Sequence, residues 1–177
     1  MRWAVVSRGM ALAWLLVFGA PVAAFDDEQP IHIESDSLDI DDVQGISIYR
    51  GNVIMSQGPG RIWADQMTIH ATAEQTLDKI VSEGEPARFR DYTDKGEEIN
   101  GAARRIEYHA IKQMVILDGE AHLEQNKTEF FGNRIEYEME SRVVRAGQAA
   151  GGDGNGRVRT LILPKNLEGD SGSDAQQ

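Results

Sequence analysis

Residues 29–40 read "QPIHIESDSLDI", an alternation of apolar and polar residues that slips midway. Ile31 and Ile33 fall on odd positions, Leu38 and Ile40 on even ones. A β-strand has a side-chain period of two and keeps one face apolar, so a slip marks a bulge or corner. The slip recurs. "IESDSLDI" from Ile33, "IWADQMTI" from Ile62, "GAARRIEY" from Gly101 and "FFGNRIEY" from Phe130 each place a small residue third: Ser35, Ala64, Ala103 and Gly132. Asp36, Asp65 and Asn133 come fourth in three copies, and Arg104 in the other. Positions six and eight are Leu38/Ile40, Met67/Ile69, Ile106/Tyr108 and Ile135/Tyr137. The copies begin 29, 39 and 29 residues apart, the spacing of a supersecondary unit.

A second element lies between them. "YRGNVIMSQ", "SEGEPARFR" and "LDGEAHLEQ" carry Gly51, Gly84 and Gly119, each followed by an inward-type pair. The pairs are Val53/Met55, then Pro86/Arg88 or Ala87/Phe89, then Ala121/Leu123; the middle copy reads either way. Short runs rich in Ile, Val and Thr, separated by "QGPG" (57–60), "TDKG" (93–96) and "NKT" (126–128), predict strands throughout and no amphipathic helix. Glycine tolerates the backbone of a corner, and Asx side chains satisfy groups freed there. Both the small-residue step and the glycine step are expected to shift the apolar parity by one. Such corners bend strands from one sheet into a facing one, giving a sandwich or jelly roll. Plain hairpin turns at each step are the alternative, which the fourfold recurrence disfavours. The residues expected to face one apolar interior are Ile31, Ile33, Leu38, Ile48, Val53, Met55, Ile62, Met67, Ile69, Phe89, Ile106, Tyr108, Leu123, Ile135 and Tyr137. At the far end, "RVRTLILP" (157–164) sets Val158, Leu161, Ile162 and Leu163 on a last strand with nothing beyond to pair it. A bare edge is either covered or used for strand addition, so these four residues are the expected assembly edge.

The first residues change the setting. Arg2 and Arg8 precede the apolar run "MALAWLLVF", and "PVAA" puts Val22 and Ala24 where a signal peptidase reads. This pattern predicts a cleaved secretory leader over 1–24, since the run is half the ~20 residues of a spanning helix. One domain over 25–164 and a disordered polar tail over 165–177 are expected to follow. Loss of Arg2 and Arg8 takes the formal charge from −11 to −13, which argues against nucleic acid and against adsorption to anionic membranes. There is no cysteine, so burial and backbone pairing must hold an exported fold together.

No constellation supports an enzyme, a metal site or a cofactor. "GDSG" (169–172) sits in a polar tail with nothing to hold its serine against a base. His32, His70, His109 and His122 lack metal-ligand spacing. An EF-hand loop begun at Asp39 would end on Arg50 instead of glutamate, so Asp36, Asp39, Asp41 and Asp42 read as a solvated turn. "GGDGNG" (151–156) reads as a flexible loop and "NKT" as a hairpin turn.

With these pieces in order, "QPIHIESD" (29–36), "GNV" (51–53), "IWAD" (62–65), "GEPARF" (84–89) and "LILP" (161–164) resemble the OstA-like family across nearly the whole mature chain. The resemblance implies a twisted, slightly open antiparallel β-jelly roll of about sixteen strands. It also implies a periplasmic carrier of lipopolysaccharide that holds acyl chains in the apolar interior. The implied partners are an LptC-like inner-membrane protein, an LptD-like outer-membrane translocon and further copies of itself, joined head to tail. A cleaved leader and a short chain suit the small periplasmic member of the family. The residues agree physically: at ~0.8 kcal/mol per buried methylene, a twelve-carbon chain exposed to water costs on the order of 10 kcal/mol. Two other classes stay open, a secreted β-sandwich that binds glycan or protein around a closed core, and a structural polymer that binds no lipid.

Overall fold

The structure is a computed structural model and describes residues 29–93, 95–147 and 157–163. The expected leader, the 151–156 segment and the tail with its "GDSG" lie outside the described residues. Ten strands follow one another: β1 (Ile31–Glu34), β2 (Ser37–Asp41), β3 (Ile46–Gln57), β4 (Gly60–Ala71), β5 (Leu77–Tyr92), β6 (Glu98–His109), β7 (Met114–Gln125), β8 (Thr128–Glu138), β9 (Val143–Gly147) and β10 (Arg159–Ile162). All pair antiparallel in the order β1-β3-β4-β5-β6-β7-β8-β10, and β2 and β9 add to β3 and β8. The sheet does not close on itself. Ten strands stand where about sixteen were expected, because β3 to β8 run through their corners unbroken. Counted once on each side of the corner, they give eight segments per layer, with β1 and β10 flanking one layer and β2 and β9 the other.

One contact proves that the sheet folds over. Gln125 pairs with Thr128 across the β7–β8 hairpin, and Tyr137 lies nine residues further along β8. A straight strand would set them about 30 Å apart. Yet Gln125 Nε2 donates to Tyr137 Oη at 3.3 Å. The two halves therefore face each other, and their inner sides share one core that includes Met55, Phe89 and Leu123 from one layer and Met67, Ile106 and Ile135 from the other.

The corners are of two kinds. On β4, β6 and β8 the inward residues change parity, from Ala64 to Met67, from Ala103 to Ile106 and from Gly132 to Ile135. This is the slip visible in the sequence. On β3 and β7 parity is kept, which corrects the expectation for the glycine steps: Tyr49 and Val53 both face inward, as do Leu117 and Ala121. Here two successive left-handed residues, Gly51–Asn52 and Gly119–Glu120, bulge out against a single residue of the partner strand. Gly51 also has no room for a side chain, since a β-carbon would sit 2.2 Å from Asp36 Oδ2. Asp36 Oδ2 in turn accepts from Asn52 Nδ2 at 2.9 Å, so the small–Asp step and the glycine step brace each other. On β5 the bulge holds Gly84, Glu85 and Pro86, and the ambiguous pair resolves to Ala87 and Phe89 inward. "NKT" is the expected hairpin, with Asn126 and Lys127 both left-handed.

Candidate functional site

The inner face is built in rows that run across the strands. Nearest the corner lie Val53, Ala64, Ala87, Ala103, Ala121 and Gly132, small residues where the two layers come closest. Beyond them the first layer offers Ile33, Met55, Ile62, Phe89, Gly101, Leu123 and Phe130, and the second offers Leu38, Tyr49, Met67, Ser82, Ile106, Leu117 and Ile135. At one place a large residue takes the room a small one leaves: the Phe89 ring lies over the bare backbone of Gly101.

Of the fifteen residues expected inside, ten are buried in this core: Val53, Met55, Ile62, Met67, Phe89, Ile106, Tyr108, Leu123, Ile135 and Tyr137. Ile33 and Ile69 are half-buried and pack against it. Ile31 and Leu38 keep the inner orientation but are exposed, because β1 and β2 are edge strands that pair on one side alone among the described residues. Ile48 faces outward. The register pairs it with Thr68 and sets Tyr49 opposite Met67, so Tyr49 takes the inner place. Sequence reasoning also missed Ile80, Ile99, Val115 and Leu117, all in the core. Runs such as "KIV" and "MVIL" are apolar on both faces and carry no alternation to read.

On the inner face, the exposed apolar residues lie at the two flanks of the sheet. Leu38 is 46% and Ile40 59% exposed on β2, while Ile162 is 68% exposed on β10. Beside Ile40 a cleft of about 620 Å³ opens, lined by Ile69, Ala71, Asp41, Gln44, Thr72 and others. The centre is filled by the chain's own side chains: Met55, Met67, Leu117, Leu123 and Ile135 have no accessible surface. The expected assembly edge is strand β10 with its flanks. Among the described residues it pairs with β8 alone, and Val158, Leu161, Ile162 and Leu163 are all exposed.

The outer face of the second layer carries a polar ladder instead. Arg50 Nε donates to Gln66, Gln66 Nε2 to Glu83, Arg105 to Glu83 and Glu107, and Arg134 to Asp118 and Glu136. Burial alone would raise the Glu107 carboxyl, but the hydrogen bond and charge of Arg105, helped by Lys79 and His109, hold it below the usual carboxylate range. Burial, then Lys79, lowers the His70 imidazole. His122 stacks on Phe131 at 4.4 Å and meets Glu129 at 3.0 Å. Among the described residues no three His, Asp or Glu side chains gather to hold a metal ion. Asp41 instead accepts from the backbone of Val43 and Gln44, the turn expected of the acidic cluster.

Residues 32–143 match the model of a family described as "LptA/(LptD N-terminal domain) LPS transport protein". The chain belongs to this family. It is similar to the lipopolysaccharide export system protein LptA of Escherichia coli K12, 33% identical over 92% of this chain and 88% of the relative. The export system protein LptH of Pseudomonas aeruginosa is 29% identical over 79% of this chain and 82% of the relative. The crystal structure of that LptH, titled the LptA-homologous periplasmic component of the lipopolysaccharide transport device, superposes with a TM-score of 0.73, covering 79% of this chain and 99% of that one. The open all-β fold is thus that of an LptA-type protein.

Proposed function

We propose that the chain is a periplasmic lipopolysaccharide carrier, not an enzyme, that shields acyl chains on the apolar inner face and bridges membrane complexes by head-to-tail assembly. The observation that carries the reading is the inner face itself. It is apolar from one layer to the other and ends in exposed Ile31, Leu38 and Ile40 at one flank and Ile162 at the other. Acyl chains enter at these flanks and spread between the layers, and the sugars stay in water. Each flank also leaves one free edge per layer, so β10 and β9 of one copy can continue into β1 and β2 of the next. The LptC-like and LptD-like proteins would cap the two ends of such a chain of copies. The relatives, named for lipopolysaccharide export, support the choice of lipid.

The filled centre favours a second reading, a binding module around a closed core. Photo-crosslinking residues separate the two. Placed at Ile33, Leu38, Phe89 and Tyr108 they should all capture lipopolysaccharide, while one at the outward Glu34 should not. Capture confined to Ile33 and Leu38 would mean that the core stays shut. Equal labelling at Glu34 would remove the carrier reading.

A further inference from the structure

The outer face of the first layer holds a group of side chains that the carrier reading leaves unused. Arg61 on β4 stands directly opposite Arg90 on β5, and Trp63 stands directly opposite Arg88. Each alternates with inward residues, Gly60, Ile62 and Ala64 on β4 and Ala87, Phe89 and Asp91 on β5, so all four project from one outer surface. The Arg90 guanidinium carbon lies 5.7 Å from the centre of the Trp63 ring, and Arg90 Nε is buried there with no hydrogen-bond partner among the described residues, which leaves the outer guanidinium nitrogens to meet a ligand. Arg61 Nη1 is anchored on the carbonyls of Gly58 and Gly60, each at 2.8 Å, at the β3–β4 turn that forms the rim of the sandwich.

Like charges directly opposite each other weaken a sheet. A chain with 29 acidic and 18 basic residues has carboxylates to spare for relieving them. Arg50, Arg104 and Arg145 each hold one, and Arg105 and Arg134 each hold two. Among the described residues Arg61, Arg88 and Arg90 hold none. Their outer neighbours across the sheet are Ser56, Ala102 and Asn100, none of them acidic, and His32 follows Ser56. The result is a positive cluster around an aromatic ring, an island on an acidic protein, with outer-face carboxylates only at its borders: Glu98 and Glu124 around Asn100, and Glu34 beyond Ile54.

We propose that this island binds the phosphorylated saccharide portion of the amphiphile. The proposal rests on the lipopolysaccharide reading above. Guanidinium forks match phosphate oxygens bidentately and carry a fixed charge. The indole face gives an apolar platform for the C–H face of a sugar ring. Because Arg61 sits at the rim, a head group can bend over it while its chains lie on the inner face.

Trp63 reports on the site directly, since Trp3 and Trp14 fall in the leader and the chain from residue 25 onward has no other tryptophan. Deacylated lipopolysaccharide, which keeps sugars and phosphates but no acyl chains, should change its fluorescence saturably. Arg61→Gln, Arg88→Gln and Arg90→Gln combined should weaken binding by about ten-fold or more, and dephosphorylating the saccharide should do the same. The triple variant should keep its melting transition and its capture of whole lipid at Ile33. No saturable change, or equal binding by the variant or the dephosphorylated saccharide, overturns the proposal. Equal affinity for inorganic pyrophosphate would reduce the island to an anion site and overturns the saccharide assignment. Loss of self-association in the variant, without loss of saccharide binding, would make the island a contact between copies instead. If the saccharide binds while Ile33 captures no lipid, the carrier reading fails and the island stands.

Discussion

Phe89 lies across the backbone of Gly101: the two are direct partners on β5 and β6, and a β-carbon on residue 101 would meet Phe89 Cε1 at 2.0 Å. The ring is buried between the layers, so moving it would disturb the core around it. Gly101→Ala should therefore cost about 1–3 kcal/mol through overpacking. Gly132→Ala should fall within about 0.5 kcal/mol, because its nearest non-neighbouring atom would be 3.6 Å away. Urea midpoints of the two variants check this, and equal losses would refute the ring-over-glycine account.

The row of small residues at the corner sets how closely the layers approach. Ala87 and Ala103 are directly opposed and fully buried there. Ala103→Leu should lower stability by about 1–3 kcal/mol, whereas Ala102→Leu, one residue along on the outer face, should be nearly neutral. Thermal melts that rank the two alike would contradict the corner geometry.

Glu107 gives the fold a defined acid sensitivity. Its carboxyl is held below the ordinary glutamate value of 4.5 in the folded chain. As pH falls, the unfolded chain takes up the proton first, which drains stability from the native state. The contribution is complete above the unfolded value and is lost as pH falls through the lower folded one. In a melting-temperature series, Glu107→Gln should lie below the parent at neutral pH and converge with it on acidification. A constant gap would assign the effect to packing.

The repeat was legible because parity is a local property. The slips at Ala64–Met67, Ala103–Ile106 and Gly132–Ile135 could be counted residue by residue, and they gave the corners and most of the inner face. The β3 corner was misread because Gly51 and Asn52 both bulge and so cancel the shift, exchanging Ile48 for Tyr49 on the inside. Ile80 and Val115 sit in stretches buried on both sides, where neighbouring Val81 and Ile116 are also covered and periodicity is silent. The arginine island was invisible for a different reason. Arg61 and Arg90 are far apart in sequence, and only the register of β4 against β5 brings them together.

The last strand should matter for assembly more than for folding. β10 contributes four exposed residues and, among the described residues, pairs with β8 alone. Removing residues 157–177 should leave β-type circular dichroism largely intact and abolish the growth of mass with concentration in analytical ultracentrifugation. If the shortened chain still polymerises, the joint lies elsewhere.

β3 carries β1 on one half and β2 on the other, and β8 carries β10 and β9 in the same way. Under the assembly proposed above, each flank would be a two-pronged connector whose prongs are set by a single continuous strand. A partner that pairs with one prong is held beside the other, so its second contact forms at the high effective concentration of a tethered reaction. Two weak edges of four or five residues can then act as one firm joint, and a partner with only one matching edge gains none of that advantage. The bend that makes the interior would then also enforce selectivity at the ends.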